Sequence, residues 1–242
     1  MNGSEFKNLQ KSHYKDMINT EDIDLRRHTR NHIRKIEAMN TFMNIQEGDS
    51  VLEVGVGTGI QAKYLVDHND VKFDFTGTDL SEDMLQVTRK KFTGMEDRIT
   101  LEAMDAENMT YDDDSFDHVF VGSTIHHLEN PRRGVEEMVR VLKPGGTFCM
   151  MEPNYIHPKN MHFSHKYEAE KNMKFMRKKY IRSWLDPLPI KYSIQNFVYA
   201  PNGPKFLVPF YTIGEAVVKH LPLLNSMSIM LLVTGIKQPK NT

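Results

Sequence analysis

The sequence predicts an α/β protein with a mostly parallel sheet and helices on both faces. Three observations predict it. Short strand-like runs alternate with amphipathic runs from residue 50 to 152. Each amphipathic run is long enough for a crossover helix, and such connections are right-handed and join parallel strands. The stretch "VLEVGVGTGI", Val51 to Ile60, places three glycines just after the first strand-like run.

The elements follow in order. "DSVLEVG" reads as a buried strand, and "IQAKYLVDH" as a helix with Ile60, Tyr64 and Leu65 inward. "KFDFTGTD" is a second strand. Ser81 is a good N-cap for the helix "EDMLQVTRKKF", and Gly94 can stop it. "RITLEAMD" and "FDHVFVGS" are the third and fourth strands, with "DDDSFD" as the turn into the latter. Asn130 and Pro131 supply a cap and a first-turn proline for "RRGVEEMVRVL". "KPGG" is expected to break the chain before a fifth strand, "GTFCMMEP". Four segments result: an N-terminal helical lid, 1–45; a cofactor-binding core, 46–154; a helical insert over the substrate, 155–191; and C-terminal strands completing the sheet, 192–242. In the first, Ile33, Ile36, Met39 and Phe42 or Met43 recur at helical spacing. In the insert, residues 163–185 read as one amphipathic helix with Met173, Met176, Tyr180 and Trp184 along its apolar stripe. In the last, "KYSIQNFVYA" and "SIMLLVTGIK" read as strands six and seven. Thr212 and Glu215 have capping-box spacing for a short helix between them.

Composition narrows the function classes. Of 242 residues, 39% are hydrophobic and 26% charged, ordinary values for a globular protein. A formal charge of −1 gives no global field to recruit nucleic acid or membrane. The single cysteine, Cys149, rules out an intramolecular disulfide framework and a cysteine-cluster zinc site, and it fits a reducing compartment. No apolar run reaches the roughly 18 residues of a membrane span, and the polar N-terminus does not read as a secretory signal. The expectation is a cytoplasmic protein, with any membrane contact peripheral and the oligomeric state open. The 11 histidines include His157, His162 and His165 close together and the adjoining His126 and His127, but none matches a zinc spacing, so no metal is expected.

Ligands of such sheets sit beyond the carboxyl ends of the strands. Gly55, Gly57 and Gly59 form a tight turn whose bare backbone a ligand can approach. A dinucleotide fingerprint wants its third glycine one place later, where this chain has Ile60. Glu53 would repel a pyrophosphate but suits a cationic amine. Asp79 ends the second strand, where an acid accepts from both ribose hydroxyls. Asp105 ends the third and can accept from an adenine amine, with Ala106 leaving room for the ring. Amine, ribose and adenine without phosphate describe S-adenosylmethionine.

"VLEVGVGTG", "GTDLSEDML", "AMDAENMTYDDDSFDHVFVGSTIHHLENP" and "EEMVRVLKPGGTFCMMEPN" resemble, in order and spacing, the class I S-adenosylmethionine-dependent methyltransferases of the broad small-molecule group. The resemblance covers the central two-fifths of the chain. It implies a Rossmann-like, seven-stranded sheet with its last strand antiparallel, Asp79 with Leu80 at the ribose, Asp105 and Ala106 at the adenine, and the glycine loop around the methionine part. Residues 122–127, with Ser123, would border the sulfonium.

Methyl transfer needs the acceptor atom held in line with the leaving sulfur, and an amine or phenol acceptor also wants a base. His126 and His127 are the candidates for catalysis. Glu152, Tyr155, Tyr180 and Trp184 are candidates for contact with the substrate, and Tyr14 for closing over the cofactor. The expected reaction moves a methyl group to an oxygen or nitrogen of a small, lipophilic or biosynthetic acceptor. Two rivals stand beside it: a nicotinamide-dependent dehydrogenase, which would want glycine at position 60 and no acid at 53, and a non-catalytic cofactor-binding scaffold.

Overall fold

Residues 3–18, 30–197 and 208–239 are described in a computed structural model of the chain. The strands are β1 (Ser50–Val54), β2 (Asp74–Asp79), β3 (Ile99–Ala103), β4 (Phe116–Gly122), β5 (Leu142–Pro153), β6 (Ile190–Phe197) and β7 (Met230–Lys237). They form one seven-stranded sheet in the order β3-β2-β1-β4-β5-β7-β6. The first five are parallel, and β7 runs antiparallel to both its neighbours. The last three residues of the expected sixth strand, 198–200, lie outside the described residues.

Helices cover both faces. They are α1 (Gly3–Ile18), α2 (Arg30–Met43), α3 (Ile60–Asp67), α4 (Glu82–Lys91) and α5 (Pro131–Val141). The apolar spacing of α2 packs Ile36, Met39 and Met43 against one sheet face at 1–2% exposure. Each such side chain contributes about 1.5–3 kcal/mol. In α3 the inward residues are Ile60, Ala62 and Leu65. Tyr64 sits at the helix edge with its hydroxyl on Glu37. Both expected caps are present: Ser81 accepts from the Met84 amide and Asn130 from that of Arg133, with Pro131 opening α5.

Three expectations are corrected. "KPGG" does not end an element. Strand β5 begins at Leu142, and its pairing with β4 jumps from Phe116–Leu142 to His118–Thr147. The intervening residues loop out, with Gly145 at φ 83° supplying the bend. The second correction concerns residues 163–185, which are not one helix. The chain makes α6 (Pro158–Lys166), a 3₁₀ segment (Glu168–Phe175) and α7 (Lys178–Leu185). Extended backbone at Tyr167 and Arg177 separates them. One straight helix cannot serve both destinations of its apolar residues. The 3₁₀ segment carrying Met173 packs on α1 and the turn after β4, whereas Met176, Ile181, Trp184 and Leu185 enter the core beside α5. Third, the helix α8 (Val208–His220) already runs upstream of Thr212, so no capping box starts it. Glu215 is instead buried, with its carboxylate accepting from Arg34 at 2.7 Å. A short helix α9 (Pro222–Ser226) leads into β7.

Candidate cofactor and acceptor site

The sheet order reverses between β1 and β4, and a cavity of about 400 Å³ opens beyond their carboxyl ends. The glycine loop forms its floor. Gly55 has φ 73°, and a Cβ there would lie 2.3 Å from Cγ2 of Thr124. Gly57 and Gly59 also take positive φ, at 55° and 74°, which lets the backbone turn directly into α3.

Asp79 fastens this loop. One carboxylate oxygen accepts from the Gly57 amide at 2.9 Å and the other from the Ser81 amide at 2.9 Å. Asp105 sits at the next strand end, accepting from the Glu107 amide at 3.0 Å and from the Lys7 ammonium of α1 at 2.6 Å. The hydrogen bond to Asp105 holds the lysine's pKa above its ordinary value. Ala106 and Leu80 complete this end of the wall. Ser123, at φ 59°, and Thr124 close the opposite end, with His127 beside them.

Behind that wall lies a buried polar knot. Glu152 ends β5 with 0% exposure. Its Oε1 accepts from the Thr124 and Ile125 amides at 2.8 and 2.9 Å, and its Oε2 meets His126 Nδ1 at 2.6 Å. His126 Nε2 lies 3.3 Å from a Glu170 carboxylate oxygen. Burial alone would lower the His126 pKa, but the charge and hydrogen bond of Glu152, with those of Glu170, raise it well above the ordinary histidine value. The imidazolium is thus a clamp joining β5, the turn after β4 and the 3₁₀ segment. His127 lies against it, tilted by 41° at 3.9 Å between ring centroids, and turns Nδ1 toward the Ala169 carbonyl at 3.4 Å. Among the described residues, His126, His127 and Glu170 bring one ligand-type atom each within 4.8 Å of one another. Sequence spacing does not suggest this grouping, because Glu170 arrives from the insert.

The cavity wall gathers Gly55, Gly57, Asp79, Leu80, Asp105, Ala106, Ser123 and His127 from the residues singled out in the sequence. The others lie elsewhere. Gly59 shapes the turn behind the wall. Glu53 is sealed within β1 at 0% exposure, off the cavity surface. His126 and Glu152 stand behind the wall. Tyr155 packs under the Arg177 guanidinium, 4.4 Å from its ring centroid, and its hydroxyl meets His165. Trp184 lies in the core and Tyr180 against it, because α7 docks on α5. The side chain of Tyr14 lies outside the described residues. Six cavity residues of the segment expected as a lid were not singled out in the sequence: Lys7, Gln10 and Lys11 of α1, and Asn31, His32 and Lys35 of α2. Their available signal was helical spacing of polar residues, at i, i+3 and i+4 on α1 and at i, i+1 and i+4 on α2.

Two strand-end carboxylates, the glycine loop and the size of the cavity fit a nucleoside joined to a charged amino acid. Residues 52–150 match the family model of a methyltransferase domain. Over residues 52–150 the chain thus matches a methyltransferase domain, and its sheet order and glycine loop agree with that match.

Its relatives include a demethylmenaquinone methyltransferase of Staphylococcus epidermidis, 38% identical over 110 residues, which are 46% of this chain and 45% of that protein. A ubiquinone/menaquinone biosynthesis C-methyltransferase of Geobacter sulfurreducens is 36% identical over 108 residues, 44% of this chain and 42% of that one. The match thus spans a little under half the length of these curated relatives. Among solved structures, a methyltransferase in complex with the Haloferax volcanii Trm112 activator superimposes with a TM-score of 0.64 at 23% identity, covering 95% of this chain and 98% of that one. Phosphoethanolamine N-methyltransferase 2 of Haemonchus contortus, in complex with S-adenosyl-L-methionine, gives 0.61 at 16% identity, covering 93% and 60%. At these identities the likeness concerns the fold.

Proposed function

We propose that this protein transfers the methyl group of S-adenosylmethionine to an oxygen or nitrogen of a small-molecule acceptor. The observation that carries the reading is the cavity at the sheet's reversal point, with acids at its nucleoside end and His127 at the other. Asp79 would hold the ribose hydroxyls, Asp105 and Ala106 the adenine edge, and the glycine loop would surround the methionine part. Bound there, the cofactor supplies an electrophilic methyl group on a positively charged sulfur. The chain's own work is to hold the acceptor about 3 Å from that methyl and to receive the proton the acceptor releases. With Nδ1–H directed at the Ala169 carbonyl, His127 keeps Nε2 as the proton acceptor. His126 is a positioning residue, held away from the cavity by Glu152.

A carbon acceptor is the second reading, favoured by the printed activity of the Geobacter sulfurreducens relative. The shared region is under half of each chain, so it speaks more for the cofactor than for the acceptor. The two readings separate in a screen of metabolite extracts with radiolabelled methyl donor, followed by hydrolysis and mapping of the labelled atom. His127→Ala is expected to lower kcat by about 10²–10⁴-fold, with the affinity for the demethylated cofactor unchanged. Full turnover in that variant would remove His127 from the chemistry.

A further inference from the structure

The large apolar side chains left exposed are concentrated in two places. Among the described residues ten stand out, and nine of them lie in two short stretches. Ile156, Met161, Phe163 and Tyr167 lie on and around α6, at 38–42% exposure; Ile213, Val217, Leu221, Leu223 and Leu224 lie on α8 and α9, at 44–75%. The two stretches adjoin. The Asn154 side-chain amide donates to the carbonyls of Ser226 and Ser228, and that of Asn160 to the carbonyl of Ile229. These bonds fix the start of α6 against the end of α9. Clustering of this kind marks an interaction surface, since single apolar residues scattered over a surface need no explanation.

The exposed charges on α6, α8 and α9 have one sign, and the acid that follows Tyr167, Glu168, is paired with Lys171 at 2.9 Å. From Pro153 to Tyr167 there is no acidic residue, while Lys159 and Lys166 stand exposed. Both ammonium groups lie over aromatic rings of the same stretch, Lys159 at 5.7 Å from the Phe163 centroid and Lys166 at 5.1 Å from that of Tyr167. On α8 the single acid, Glu215, is turned inward onto Arg34, and Lys219 is exposed. A second copy of this chain would bring lysines against lysines across a two-fold axis. Apolar side chains interleaved with cations match an anionic bilayer, where the lysines reach headgroup phosphates and the apolar tips enter the acyl boundary.

We propose that α6, α8 and α9 form a peripheral docking face for anionic lipid membranes. The face borders the roof of the cavity: α6 continues into the 3₁₀ segment, whose Ala169 carbonyl accepts from the cavity residue Gln10 at 2.7 Å. A lipophilic acceptor could therefore reach the site from the bilayer side.

The test is flotation of the full chain, without cofactor, on phosphatidylcholine vesicles with and without about 30% phosphatidylglycerol, at low and high salt. Binding is expected on the anionic vesicles at low salt and at least tenfold weaker on neutral ones or at high salt. Leu223→Asp/Leu224→Asp and, separately, Lys159→Glu/Lys166→Glu should each weaken it by at least tenfold. All four positions are exposed, so both variants should keep the wild-type melting temperature and the wild-type affinity for S-adenosylhomocysteine. The proposal is overturned if the wild-type chain stays off anionic vesicles at low salt, or if the variants float as well as wild type. A stable wild-type dimer by light scattering that Leu223→Asp/Leu224→Asp splits would give the face to a second copy instead.

Discussion

Glu152→Gln tests whether the knot behind the cavity wall holds the reaction end in place. Glutamine keeps the shape and one carbonyl oxygen, so the Thr124 and Ile125 amides can retain their acceptor. What it removes is the negative charge 2.6 Å from the His126 ring, at a site with 0% exposure. Breaking a buried, hydrogen-bonded ion pair on one side costs about 3–5 kcal/mol. Part of this is recovered if His126 gives up its proton, so about 2–4 kcal/mol is expected near neutral pH. The sign of the pH dependence follows from the raised pKa of His126. A group whose pKa is higher folded than unfolded contributes stability that is complete below the unfolded value, about 6.5, and is lost as pH rises through the folded value. Wild type should therefore lose stability on going from pH 6 to pH 10 by more than Glu152→Gln does. Urea denaturation at several pH values reads both effects. Equal stability of the two proteins at pH 7, or parallel pH profiles, would refute the ion-pair account of this knot.

Asp79→Ala removes two charge-assisted acceptors that fasten the glycine loop and the proposed ribose contact; affinity for S-adenosylhomocysteine should fall at least 50-fold by calorimetry, taking about 1.5–3 kcal/mol for each such bond. Gly55→Ala places a Cβ 2.3 Å from Thr124 at a positive φ, so stability should drop by about 2–4 kcal/mol in chemical denaturation, with cofactor affinity falling alongside. Asp117 is held at about 2; burial opposes its ionisation, but the Lys143 and Ser50 hydrogen bonds outweigh it. Its contribution is present above pH 4 and lost as pH falls through that value, so Asp117→Asn should cost about 1 kcal/mol at pH 7, after allowing for solvent screening, and almost nothing at pH 2.

The core elements were legible because their signals are local. Ser81 and Asn130 cap helices by bonding amides a few residues on, and Gly55 to Gly59 make a turn within their own stretch. Asp79 and Asp105 could be picked out in the same way, because each follows a strand, and the cavity wall includes both. The reaction end depends on distant residues. Glu152 and His126 read as ligand-facing candidates, but the fold turns them inward, because Glu152 satisfies the Thr124 and Ile125 amides and His126 neutralises it. Glu53 lies within β1 at 0% exposure, a placement that residue spacing alone does not report. In the insert, period alone suggested one helix, and nothing in it revealed that Met173 and Trp184 are buried in different places. The α1 lysine on Asp105 joins residues 98 positions apart, a contact no local pattern reports.

The account rests on a cavity built for a charged sulfur compound joined to a nucleoside. Isothermal titration of the whole chain with S-adenosylmethionine, S-adenosylhomocysteine and a nicotinamide dinucleotide tests this directly. One molecule of either sulfur compound should bind per chain, with the dinucleotide giving no heat. Saturable binding of the dinucleotide, or silence from both sulfur compounds, would contradict it.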